Sequence, residues 1–184
     1  MIRISYFLSV FCLFSGQLMH GQIFKGKESV IHFLSKSSLE DIEARNTVPI
    51  IMADFSTGNV QAKIPNKSFK FSSSFMEEHF NENYMETDKY PVSSFKGKIK
   101  EKVDYTKDGE YKVTCEGELD MHGVTNKVVI LGVVKVNGGI ITLKADFKVK
   151  LVDYKIKVPS MYVKNIAEEI GIDLATVMEP LKKP

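Results

Sequence analysis

Cysteine is scarce in this sequence. Of the two present, Cys12 falls in an N-terminal apolar run and Cys115 is left alone beyond it, which excludes an intramolecular disulfide and a multi-cysteine zinc site. Histidine is nearly as sparse: His20, His32, His79 and His122 are the four, and none has the close spacing of a metal-binding motif. A dominant charge is missing too. The 25 basic and 23 acidic side chains are interspersed and leave a net charge of +2, so no field draws in nucleic acid or an anionic membrane surface. Glycine-rich phosphate loops, Gly-x-Ser-x-Gly elbows and metalloprotease helices are absent as motifs, and no cofactor is expected.

Long hydrophobic runs are limited to Ile4–Phe14. That stretch is shorter than the roughly 20 residues of a membrane-spanning helix. Preceded by Arg3 and the amino terminus, it has the outline of a signal peptide over residues 1–21, with cleavage near Gly21. The chain from Gln22 onward is then expected to be a single soluble domain, exported to the periplasm or the medium, with no transmembrane span.

What is abundant is alternation. Tyr111, Val113, Cys115, Gly117 and Leu119 share one face while Glu110, Lys112, Thr114, Glu116 and Glu118 share the other, a period of two that only a half-buried strand produces. The same sorting holds for Phe95–Val103 and Ile141–Leu151, and more weakly for Ser29–Leu34, Asn59–Ile64 and Ser68–Ser72. Lys127–Val136 is apolar on both faces and is expected to be central or covered. Asp108-Gly109, His122-Gly123 and Asn137-Gly138-Gly139 punctuate neighbouring antiparallel pairs. An open meander of this length leaves costly edges and an exposed apolar face, and closing it into an up-and-down barrel removes both. Lys96, Lys98, Lys100, Lys102, Lys144, Lys148 and Lys150 cannot all fit inside a small barrel, so the apolar face points inward. Two segments depart from the alternation: Ser74–Thr87, with helical spacing of its apolar residues, and Val163–Ile170, which reads as a helical turn near 163–169 before a closing strand at Ile170–Met178.

Two stretches carry a resemblance. Lys89-Tyr90-Pro91-Val92-Ser93-Ser94-Phe95 resembles the tyrosine-proline-x-x-x-phenylalanine entry to a strand in the YceI-like family, and Gly117–Val128 resembles that family's glycine-x-leucine-x-x-x-glycine-valine-threonine hairpin. The Phe69–Thr87 stretch is similar to the helical loop of family members from the Bacteroidetes. The resemblance implies an all-β, lipocalin-like barrel of about eight strands, a polyisoprenoid or other long-chain lipid as ligand, and a possible homodimer.

With the apolar face inward, Phe69, Phe71, Phe95, Ile99, Val113, Leu119, Leu143 and Phe147 are the strand residues expected to line a cavity. Phe75, Met76, Phe80 and Tyr84 are expected at its entrance. Pattern alone does not separate a cavity from a filled core, so an interaction or stress-related module without ligand stays open, as does a haem-binding or enzymatic barrel using His79, His122 or Cys115. Glu77 and Glu78, adjacent on a helix, read as solvated surface rather than as an acid-base pair. Cys115, in register with Val113, reads as a buried thiol. The leading expectation is a non-catalytic binder of an apolar chain.

Overall fold

A computed structural model describes residues 22–37, 41–159 and 166–181; the signal peptide expected over residues 1–21 lies outside them. In chain order the strands are β1 (Ile23–Ser35), β2 (Ile42–Asn46), β3 (Ile50–Asp54), β4 (Asn59–Pro65), β5 (Lys70–Phe71), β6 (Val92–Ile99), β7 (Gly109–Met121), β8 (Val124–Asn137), β9 (Ile140–Lys150) and β10 (Glu169–Pro180). A short helix, α1 (Ser74–His79), runs on into a π-helical turn over Phe80–Tyr84.

Every paired neighbour is antiparallel, and the order β10-β9-β8-β7-β6-β4-β3-β1 closes through β1–β10. Eight strands therefore form the barrel. β1 is long enough to serve two partners on one side. Ile23–Lys25 pairs with β3, whereas Ile31–Ser35 pairs with β2, which in turn carries β5 as a small flap.

Side chains sort as alternation requires. Val113, Cys115 and Leu119 are buried, as are Ile141, Leu143 and Val149, while Lys96, Lys98, Lys144, Lys148 and Lys150 are exposed. Two tight hairpins use residues that tolerate positive φ: His122 and Gly123 (54° and 71°), and Gly138 and Gly139 (56° and 79°).

Two expectations are corrected, and a third falls partly outside the described residues. The strand expected to run from Phe95 to Val103 stops at Ile99. There the Glu101 carboxylate accepts a hydrogen bond from the Thr114 backbone N–H at 2.7 Å, and the chain leaves the sheet as a loop over 100–108 rather than as a tight Asp108-Gly109 turn. Val103 is still buried, as part of a plug formed with Phe24, Phe55 and Tyr105, whose ring centroids lie 5.2–6.3 Å apart. The apolar outer face of β8 is not covered: Val129 and Leu131 are each 61% exposed, because the outside of a single barrel has no second layer. Of the helical turn expected near 163–169, residues 163–165 lie outside the described residues. Ile166 and Glu168 are bends, and Glu169 already belongs to β10.

The plug fills one end of the barrel. The other end, where β1, β4, β7 and β9 finish and β6, β8 and β10 begin, is spanned by the segment from Asn66 to Pro91 that contains α1.

Inside the wall, Cys115 is buried, and loss of hydration pushes its thiol pKa up to about 11. The folded value lies above that of the unfolded chain, so stability is retained below about pH 9 and lost as pH rises toward the folded value. Native protein is expected to resist a disulfide-exchange reagent at pH 8 and to react once unfolded in guanidinium. Rapid labelling of the native state would place this face of β7 outside.

Candidate functional site

The segment Asn66–Pro91 leaves the barrel after β4 and returns at β6, and one residue clasps its two ends. Asn66, 1% exposed, donates from its backbone N–H to the Pro91 carbonyl (2.9 Å) and from Nδ2 to the Tyr90 carbonyl (2.7 Å), while its Oδ1 accepts from Ser93 Oγ (2.9 Å). All of its polar groups but the carbonyl are thus engaged across the base of the loop, which makes a buried amide affordable there.

Within the segment, Ser73 caps α1 by accepting from the Met76 N–H at 3.5 Å. Glu77 is not the solvated residue expected: its carboxylate meets Lys70 Nζ at 2.5 Å and accepts from the Phe71 N–H at 3.4 Å, fastening α1 to β5. The bond from Lys70 holds the Glu77 carboxyl below its ordinary pKa. Asn81 continues the fastening by donating from Nδ2 to the Glu77 carbonyl (2.8 Å) and accepting from Thr87 Oγ1 (3.2 Å).

The far end of the segment is held by His122, in the β7–β8 hairpin. Its Nδ1 donates to the Tyr154 carbonyl at 3.0 Å, and its Nε2 lies within hydrogen-bond distance, 2.8 Å, of a Glu86 carboxylate oxygen. Tyr90 packs its ring 4.5 Å from the His122 ring. A Cβ on Gly123 would come within 2.5 Å of that Tyr90 ring, so glycine is required there by contact as well as by its φ of +71°. His122 is thus both a turn residue, as expected, and a fastening between three segments.

Beneath this cover lies a cavity of about 170 Å³. Phe33 from β1, Phe69, Phe71 from β5 and Phe80 form a cluster on one wall with ring centroids 5.1–5.7 Å apart. Leu119 and Met121 from β7, Phe147 and Val149 from β9, and Ile170 and Ile172 from β10 also line it, Ile172 being the direct ladder partner of Phe33. Met76, Tyr84 and Met85 close it from the cover, and Leu151, Ile156 and Ile166 from the segment between β9 and β10. Three lining residues with polar side chains are engaged with the protein: Asn66 and Ser93 with each other, and Ser35, whose Oγ accepts from the Ala167 N–H at 2.9 Å.

Of the residues named from the sequence, Phe69, Phe71, Met76, Phe80, Tyr84, Leu119 and Phe147 border this cavity. Phe95, Ile99, Val113 and Leu143 face inward but lie in the filled core. Phe75 is 57% exposed, on the outer side of α1 against the His79 ring at 4.2 Å. Phe33, Ile64, Met85, Ile156 and Ile172 were not singled out. Phe33 and Ile64 sit at alternating strand positions that carry the needed signal, whereas Met85 and Ile156 come from irregular segments with no period to read.

A closed antiparallel barrel of eight strands, plugged at one end and holding an apolar cavity under a helical cover at the other, is the class that fold and site define. The YceI-like domain model matches residues 19–178, and the chain belongs to the YceI-like family. Among solved structures, a polyisoprenoid-binding domain from Saccharophagus degradans is 17% identical, with a TM-score of 0.74, over 88% of this chain and 100% of that one. Burkholderia cenocepacia BcnA is 20% identical, with a TM-score of 0.67, over 81% and 95%. The Campylobacter jejuni YCEI protein is 18% identical, with a TM-score of 0.56, over 81% and 86%. These likenesses show a shared fold. No curated protein matches the sequence.

Asn66→Ala removes a buried partner from Tyr90 and Ser93 and is expected to cost about 2–3 kcal/mol in urea unfolding, with faster protease cleavage between Asn66 and Pro91. Because Glu77 is held below its ordinary pKa, its link to Lys70 should persist down through pH 5 and be lost as pH falls through the folded value. Protection of the Phe71 amide, relative to its intrinsic exchange rate, should fall over that acid range, and Glu77→Gln should remove that change in protection.

Proposed function

We propose that this protein binds an apolar chain, an isoprenoid or another lipid, in the cavity under α1, and does not transform it. The observation that carries the reading is the lining itself: phenylalanine, isoleucine, leucine, methionine and valine side chains dominate it, and Ser35, Asn66 and Ser93 are engaged with the protein. Such a wall has a favourable contact for every methylene that enters and no nucleophile with a general base beside it. Each buried methylene contributes about 0.8 kcal/mol, less the cost of ordering the chain.

The polyisoprenoid-binding description of the Saccharophagus degradans domain supports the same ligand class. At about 170 Å³ the cavity is close to an engineered apolar cavity of about 150 Å³ that admits benzene. It therefore takes one ring or branched segment as it stands, and a longer chain enters by displacing the cover or the flexible Met76 and Met85 side chains. Export through the signal peptide at residues 1–21, to the periplasm or the medium, and a homodimer belong to the same reading; fractionation of the native host and sedimentation test them.

Native mass spectrometry of protein purified from its own host, followed by organic extraction, is expected to show a stoichiometric apolar adduct. Phe147→Glu and Leu119→Glu place an unpaired carboxylate on the wall and should abolish the adduct and destabilise the fold. Lys98→Glu, on the outer face, should leave both unchanged. Normal ligand binding by Phe147→Glu would overturn the assignment of the cavity.

A further inference from the structure

Three uncommon backbone conformations meet at one imidazole. Among the described residues only four other than glycine hold a positive φ. Three of them come together here: His122 itself (54°), Glu86 (43°) against its ring, and Lys155 (56°) next to Tyr154. A left-handed backbone is rare for glutamate and lysine and persists where surrounding contacts impose it. Glu86 lies in the cover Asn66–Pro91 beside Met85, which lines the cavity, and Lys155 lies beside Ile156, which lines it too. The His122 side chain, 10% exposed, stands between these two movable walls.

The two contacts of the ring set a proton count. The Tyr154 carbonyl, 3.0 Å from Nδ1, can only accept, so Nδ1 carries a hydrogen. In a neutral ring Nε2 is then a bare lone pair, and 2.8 Å away the Glu86 carboxylate presents another. Two acceptors at that distance repel. One further proton, held by the ring as imidazolium or shared with the carboxyl, turns the repulsion into a charge-assisted hydrogen bond.

Neighbouring charges do not replace that proton. On the cover, the Lys89 ammonium lies 4.8 Å from the centroid of the Tyr90 ring that packs against His122, with the Glu86 carboxylate also acting on it. On the turn after β9, Asp153 and Lys155 are exposed, and burial pushes the Tyr154 phenol above its ordinary pKa. On the hairpin itself, Asp120 accepts from Thr125 Oγ1 at 2.7 Å. Of these side-chain types, imidazole is the one that changes charge between pH 5 and 8.

We infer that His122 and Glu86 form a proton-dependent latch on the cavity. With the proton in place, the ring fastens both the cover and the Leu151–Ile156 turn to the β7–β8 hairpin. Without it, the contact to the cover becomes repulsive and that side of the cavity opens. Closure takes up one proton, so falling pH favours the closed form and rising pH releases it. Control over the passage of an apolar chain rests on the reading given above, whereas the latch itself is tested without ligand.

Hydrogen exchange of the ligand-free protein, corrected for intrinsic rates, reads the cover directly. The Thr87 N–H donates to the Asn81 carbonyl and the Tyr90 N–H to the Glu86 carbonyl, both at 2.8 Å. Protection at these amides is expected to fall about tenfold or more between pH 5.5 and pH 8, as for loss of one charge-assisted hydrogen bond. Glu86→Gln offers a carboxamide N–H to the unprotonated Nε2 and should stay protected at both pH values. His122→Asn, which tolerates positive φ, should be poorly protected at both. In the wild type, nitrogen NMR of the His122 ring should show two protonated nitrogens at pH 5.5 and loss of the Nε2 proton as protection falls. N-phenylnaphthylamine, as an apolar probe, should leave the wild type about tenfold faster at pH 8 than at pH 5.5, in step with the protection, and leave Glu86→Gln slowly at both.

Protection that does not change with pH in the wild type overturns the latch, as does a ring with a single proton at pH 5.5. A step of the same size in Glu86→Gln overturns it too, and assigns the step to another histidine, His79 on α1 or His32 on β1. Low protection of Glu86→Gln at both pH values has the same force, because a neutral partner would then not replace the proton. Release of the probe at one rate at both pH values overturns control of the cavity. A protection step as expected, in a protein that binds no probe at either pH, leaves the latch standing and removes the apolar-chain reading.

Discussion

Everything in this molecule depends on the pairing of β1 with β10. The two run side by side from Phe24 opposite Pro180 to Leu34 opposite Gly171, joining the first strand to the last. Without that ladder the sheet would have two long open edges and an apolar face in contact with water, a template for aggregation. With it, the inward residues of all eight strands become a common interior. The closing contact is also the longest in sequence separation, so the interior is assembled only after the chain has folded back along its whole length, which makes folding slower than for local topologies.

The interior is divided between two tasks. At one end Phe24, Phe55 and Tyr105 with Val103 fill the barrel, and Ile51 and Val134 beside them are fully buried, so that half is a core in the ordinary sense. At the other end the four-phenylalanine cluster and the walls of β7, β9 and β10 leave an apolar cavity of about 170 Å³ between them. Dense packing in one half supplies the stability that a cavity in the other half forgoes.

The segments that carry the family resemblance meet in space at the covered end. The tyrosine of Tyr90-Pro91 lies over the glycine of His122-Gly123, and Asn66 holds the carbonyls of both Tyr90 and Pro91. The residues that resemble other family members therefore build the frame around the cavity mouth. The cavity surface itself comes largely from positions where any apolar side chain of suitable volume would serve. This explains how identities of 17–20% accompany a common fold.

Alternation by itself determined that the chain is all-β, which residues face inward, and where β7, β8 and β9 run, because a period of two is a local property of backbone geometry. It likewise placed Phe69, Phe71, Leu119 and Phe147 on the side of the sheet that the barrel encloses. What only tertiary structure decided is which inward residues touch empty space and which touch one another: Phe95, Ile99, Val113 and Leu143 have the same pattern as Leu119 and Phe147 but sit in the filled core. That difference depends on where the loop over 100–108 plugs one end and where Asn66–Pro91 spans the other. It arises from contacts between segments far apart in the chain, which no local period encodes. The double fastening of His122 is of the same kind, set by neighbours 32 and 36 residues away in sequence.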